Sequence, residues 1–101
     1  MVKLIALYKP PADKDAFLDH YRNVHTPLVR RLPGLRKIDV ARTFGSPGGE
    51  PRFFLVAEMY FDNKEAMFAA LNSPEGKAAA KDVMSFAGDL IHMMFADVEE
   101  A

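Results

Sequence analysis

The sequence has no cysteine. It therefore carries no disulfide framework, no thiolate nucleophile and no cysteine-based metal site. Long apolar runs are missing too: the unbroken hydrophobic stretches are a few residues each, against the ~20 that span a bilayer. No charged n-region followed by an apolar h-region opens the chain, so neither membrane nor secretion is expected. Neither sign of charge is in excess. Lys and Arg number 13 and Asp and Glu 14, for a net charge of −1, which argues against the clustered positive surface that nucleic-acid binding needs. Dinucleotide fingerprint, phosphate loop, nucleophile elbow and H-E-x-x-H zinc helix are all absent, and Gly48-Gly49 is not followed by a helix. Phosphoryl transfer and nucleotide redox chemistry are thus not expected, and no cofactor is called for.

What is present is a chain of 101 residues, 50% hydrophobic and 11% aromatic, enough to bury a core as one domain over residues 1–101. A cytoplasmic location fits this composition. Val2 to Tyr8 is an apolar run closed by Pro10-Pro11 and reads as a strand buried on both faces. Asp13 and Asp15 suit the first turn of a helix, in which Phe17, Tyr21, Val24 and Leu28 recur at the helical period until Pro33-Gly34. Leu35 to Phe44 and Arg52 to Phe61 read as two strands of a long hairpin around the Gly- and Pro-rich segment between them. Asp62-Asn63-Lys64-Glu65 resembles a capping box with Asp62 at the N-cap, opening a helix through Leu71. Ser73-Pro74-Glu75 starts another, with Ala79, Val83 and Phe86 as its buried stripe and Gly88 as its stop. Leu90 to Val98 is a last strand. The order β-α-β-β-α-β predicts a ferredoxin-like α+β protomer, a four-stranded antiparallel sheet with helices on one face.

One chain does not satisfy this pattern. The strands are apolar on alternate positions of both kinds, as in Leu4, Ala6 and Tyr8 against Ile5 and Leu7. An uncovered face of that composition exceeds the few hundred Å² (~300–600) that monomers usually expose. A homodimer through the open sheet face is the expectation, with partial cover by the long loop and C-terminal tail as the alternative.

Chemistry concentrates at His25-Thr26-Pro27. Pro27 has no N–H and clashes with the Asn23 carbonyl, so the helix is expected to kink or restart, with Thr26 as N-cap. His25 follows Tyr21 by four residues and projects along the apolar face. It reads either as a general acid/base beside the Tyr21 hydroxyl, or as a structural histidine satisfying a freed carbonyl. His20 lies five residues before His25, not the four that put two imidazoles on one helical face, and reads as a surface residue. His92 lies mid-strand among apolar residues and faces either the helices or the partner. Glu58 interrupts an apolar strand and needs a mate, Arg42 or Arg36 being within reach of the hairpin. Asp82 reads as a solvated helix-edge carboxylate. Between Arg22 and Arg42 stand six Lys and Arg and one acid, a local charge of +5 against −6 elsewhere, either steering an anion or forming a solvated face.

Phe17, Tyr21, His25, Pro27 and Leu28 stand as F-x3-Y-x3-H-x-P-L, followed by Pro33-Gly34-Leu35, by Glu58-Met59-Tyr60-Phe61-Asp62 and by Ser73-Pro74-Glu75-Gly76. Together these resemble the EthD family, named for a protein of ethyl tert-butyl ether degradation, in the dimeric α+β barrel superfamily. The resemblance implies a homodimer with facing sheets and a pocket between the first helix and the sheet, with His25 the candidate active-site residue. Superfamily relatives include cofactor-free monooxygenases, muconolactone-type isomerases, polyketide cyclases and haem enzymes. The expected ligand is a small, largely apolar oxygenated molecule: aromatic, lactone or polyketide-like. His25 would move a proton with Tyr21 bonding the substrate oxygen, and Phe17, Leu28 and His92 would contact the substrate. The alternatives are a non-catalytic binding module with the same pocket, a cofactor-free monooxygenase, and a structural dimer in which His25 only caps carbonyls.

Overall fold

The computed structural model describes residues 1–100. Among them four strands, β1 (Val2–Tyr8), β2 (Lys37–Arg42), β3 (Leu55–Phe61) and β4 (Ile91–Asp97), form one antiparallel sheet in the order β2-β3-β1-β4. Helices α1 (Lys14–His20), α2 (Thr26–Val29), α3 (Lys64–Asn72) and α4 (Pro74–Ala87) complete the ferredoxin-like protomer. They lie on one face. Val2, Leu4, Ala6 and Tyr8 of β1 and Leu55, Ala57, Met59 and Phe61 of β3 point at them and are buried with Phe17, Leu18, Met67 and Val83. The register pairs Ala6 with both Ala57 and Met93, so one sheet face can be followed from strand to strand.

The caps follow local chemistry. Asp13 accepts from the Ala16 amide at 3.0 Å and starts α1. Ser73 caps α4, accepting from the Gly76 amide at 3.1 Å, and Pro74 follows at the first helical position, as expected. The cap of α3 is Asn63 rather than Asp62, accepting from the Ala66 amide at 2.8 Å. Asp62 is engaged elsewhere: Arg36 donates to both of its oxygens, at 2.9 and 2.6 Å. That pairing also takes Arg36 away from Glu58. Glu58 pairs instead with Lys3 on β1, and Arg42 lies over the Phe54 ring at 5.5 Å. Neither arginine is the mate expected from the hairpin.

The open sheet face carries Ile5, Leu7, Val56, Tyr60, Met94 and Ala96 around the Lys3–Glu58 pair. His92 belongs to this face: it pairs with Leu7 and its ring meets Phe53 at 5.7 Å. On the helix side the edge strand β4 is poorly covered, and Met93 and Phe95 are half-exposed although they share a face with Leu4 and Ala6.

Candidate active site

The helix after β1 does not break at His25-Thr26-Pro27. It widens. Tyr21–His25 is a π-helical turn in which the Thr26 amide bonds the Tyr21 carbonyl five residues back, and the Thr26 hydroxyl donates to the same carbonyl at 2.9 Å. Thr26 keeps helical angles, so it is not an N-cap and no restart occurs. The wider turn moves the chain away from the clash that Pro27 imposes on the Asn23 carbonyl. It also shifts the phase of everything after it. Tyr21, His25 and Val29 are buried, whereas Val24, which an unbroken period places inside, is exposed. Leu28 packs only at the margin of the core.

This extra residue makes the five-residue spacing of His20 and His25 a same-face spacing. Both imidazoles meet Asp82 on α4. His25 Nδ1 lies 2.9 Å from Asp82 Oδ2, and His20 Nε2 lies 2.9 Å from Oδ1 and 3.1 Å from Oδ2. Phe86, one turn after Asp82, packs beside both rings, with centroids 4.3 Å from His20 and 5.3 Å from His25. Neither His20 as a surface residue nor Asp82 as a solvated carboxylate survives this geometry. The signal was present in Pro27, but reading it required a π-turn instead of a helix break.

Because Asp82 accepts at Nδ1, the His25 tautomer that satisfies it is Nδ1–H, leaving a lone pair on Nε2. Nε2 has no hydrogen-bond partner among the described residues. Since no buried side-chain nitrogen or oxygen among the described residues lacks one, Nε2 is reached by the cavity that His25 lines. Burial lowers the proton affinity of the His25 ring below its ordinary value, the Asp82 hydrogen bond and charge oppose this, and His20 adds a smaller lowering. The ring is therefore neutral at neutral pH, and basic at Nε2.

The cavity has a volume of about 280 Å³ and lies between the sheet and α4. Leu4, Ala6 and Met59 form its floor, Val29, Ala79 and Val83 its helix side, and Met93 and Phe95 lie on the half-covered β4 side. His25 and Tyr8 are the residues with polar side chains that line it, and no Lys, Arg, Asp or Glu does. Tyr8 was not singled out in the sequence, where it reads as the end of a strand. Its ring packs edge-on against Phe17 and Tyr21 at 5.4 and 5.6 Å. Burial holds its phenol far above the ordinary range, and Tyr21 and Asp82 push the same way, so it is a neutral hydroxyl that can only donate or accept hydrogen bonds.

The other expected site residues fall elsewhere. Tyr21 is buried, its phenol pushed up to about 12 by burial, but it borders a groove on the opposite side with Arg22, Arg30 and Arg42. Phe17 stacks on Tyr21 at 6.1 Å and is part of the core beneath the site, not a wall of the cavity. Leu28 is displaced by Val29 through the phase shift. His92 lies on the far face of the sheet from His25. Of the five residues expected at the pocket, only His25 lines it. Among the described residues no group of three or more His, Cys, Asp or Glu is arranged to hold a metal ion, and no helix is long and apolar enough to cross a membrane.

Comparison with known proteins places the chain. Residues 9–89 match the model of the EthD domain. An uncharacterized 11.0 kDa protein from the thcB-thcC intergenic region of Rhodococcus erythropolis is 35% identical over 99 residues, covering 98% of this chain and 96% of that one. The crystal structure of an EthD family protein from Bacillus halodurans is 52% identical, with a TM-score of 0.95 over 98% of this chain and 99% of the other. A dimeric protein of unknown function and ferredoxin-like fold from Bacteroides fragilis shares the fold at 23% identity, with a TM-score of 0.65 over 98% of this chain and 95% of that chain. With the family model matching most of its length and close relatives spanning nearly all of it, the chain belongs to the EthD family.

Proposed function

We propose that the protein moves a proton on a small uncharged oxygenated molecule, with His25 as general base and then general acid. One observation carries this reading: an imidazole oriented by a carboxylate, Nδ1 on Asp82 at 2.9 Å, that lines an apolar cavity. Nε2 takes a proton from a carbon next to a carbonyl, and Asp82 offsets the charge of the imidazolium that forms. The Tyr8 hydroxyl donates to the carbonyl oxygen, where negative charge develops. Returning the proton at a different carbon gives isomerisation, and attack by the enolate on a second carbonyl gives cyclisation. The dry lining strengthens both hydrogen bonds. Because no cation lines the cavity, lactones, β-diketones and β-ketoesters fit better than free carboxylates. The volume sets the size, at the lower end of small-molecule pockets.

The test is deuterium exchange. A panel of neutral lactones, β-diketones and β-ketoesters is incubated with protein in heavy water and followed by proton NMR. Exchange at the acidic carbon that disappears in a folded His25→Gln variant supports the reading. Binding without exchange would leave a ligand-carrying module, and neither binding nor exchange would refute it.

The same reading includes a homodimer through the open sheet face. Ile5, Leu7, Val56, Tyr60 and Met94 form an apolar surface whose two charged pairs, Lys3–Glu58 and Lys37–Asp39, are each internally neutral and so do not repel a second copy.

A further inference from the structure

Asp82 serves two imidazoles, and only one of them reaches the cavity. His25 gives its Nδ1–H to Oδ2, while His20 Nε2 spans both oxygens. The side chains grade outward: His25 is 7% exposed, Asp82 13% and His20 33%. His20 also borders a groove with Asp13 and Asp89 that shares no lining residue with the cavity. We propose that His20 is a positioning residue that governs His25 through Asp82: neutral, it clamps the carboxylate so that Oδ2 faces His25; protonated, it offsets the Asp82 charge and makes His25 a weaker base. The inference rests on the reading of His25 as the base and adds its regulation from the solvent side.

The chemistry follows from where charge sits. When His25 takes a proton, the resulting imidazolium is stabilised by a carboxylate 2.9 Å away. A positive His20 on the same carboxylate already neutralises it, and two like charges then flank one negative one. The direction of the His20 effect on His25, a lowering, agrees. The charged and titratable groups facing this unit come from every neighbouring element. Asp82 is on α4, Asp89 just beyond it, Asp13 caps α1, and the Tyr8 phenol of β1 feels the Asp82 charge. Asp19, next to His20, accepts from Asn23 at 2.9 Å on the exposed side instead. Phe86 fixes the distance by packing on both rings, so His20 has little freedom to leave.

Ligand-free protein suffices for the test, so its outcome is separable from that of the exchange experiment. Ring nitrogen NMR of His25 is recorded across pH in the wild type, in His20→Gln, which keeps an N–H donor but cannot ionise, and in His20→Phe, which keeps the packing on Phe86 but not the donor. The expected result is that His25 keeps its Nδ1–H tautomer in His20→Gln but takes up its proton at higher pH, in a single step. In His20→Phe the tautomer becomes mixed. A His25 titration and tautomer identical in all three proteins would overturn the proposal. A variant that fails to fold leaves the other to decide, since each removes a different property of His20.

Discussion

At the scale of single residues, the proposed reaction rests on three side chains with separable duties. His25 supplies the lone pair, Asp82 fixes which nitrogen carries it, and Tyr8 supplies a neutral donor in the same cavity. Replacing His25 by Gln is expected to lower proton-exchange activity roughly 10²–10⁴-fold, the usual worth of a positioned general base. Asp82→Asn keeps the shape but removes the charge, and a loss of similar order is expected, with His25 no longer held as the Nδ1–H tautomer in ring NMR. Tyr8→Phe should cost roughly 10²-fold in turnover with little change in stability, because the hydroxyl has no hydrogen-bond partner to lose among the described residues. Stability gives an independent check on His25. Its folded-state proton affinity lies below the ordinary value, 6.5, that the unfolded chain retains. As pH falls through 6.5 toward the folded value, the unfolded chain binds more protons than the native one and stability drops. Urea midpoints measured between about pH 7 and about pH 5 should therefore fall in the wild type and fall less in His25→Gln.

At the scale of elements, the π-turn is what assembles these residues. Strands, element order and the Ser73 cap could be read from composition and period, whereas the caps expected at Asp62 and Thr26 could not. The sequence even showed the helix disturbed at Pro27. What it did not show was how the disturbance resolves, because a proline clash can be relieved by a break, a kink or an extra residue. The extra residue decides that Val29 rather than Leu28 meets the cavity, and that His20 and His25 share a face. Tyr8 and Asp82 escaped for a different reason: each sits in a locally ordinary context, and only the packing of β1 against α4 gives it a role. Pro27→Ala restores the amide and tests this directly. It is expected to leave the fold as stable or more so while loosening the His20–Asp82 contact, read as a change in the His20 ring shifts. The junction of α3 and α4 is equally specific. A Cβ at Gly76 would lie 2.2 Å from the Ala70 carbonyl oxygen and 2.5 Å from that of Leu71. Backbone cannot yield cheaply there, and Gly76→Ala is expected to destabilise by about 1–3 kcal/mol in denaturant titrations.

At the scale of the whole molecule, the two faces of the sheet do different work. One holds the core and the cavity. The other presents Ile5, Leu7, Val56 and Met94 to whatever covers it, and a second copy is the simplest cover. Sedimentation equilibrium should give a dimer for the wild type and a monomer for Leu7→Glu. A monomeric wild type at micromolar concentration would contradict the dimer without touching the site, which is built within one protomer. Everything functional turns on whether His25 presents an unprotonated Nε2 to the cavity. The most direct measurement is the ring nitrogen spectrum of His25 near neutral pH, assigned with His25→Gln, before and after adding a small neutral phenol. The expected result is a neutral ring protonated at Nδ1, whose Nε2 signal moves when the phenol donates to it. A ring that is charged, that carries its proton on Nε2, or that ignores the phenol would contradict it.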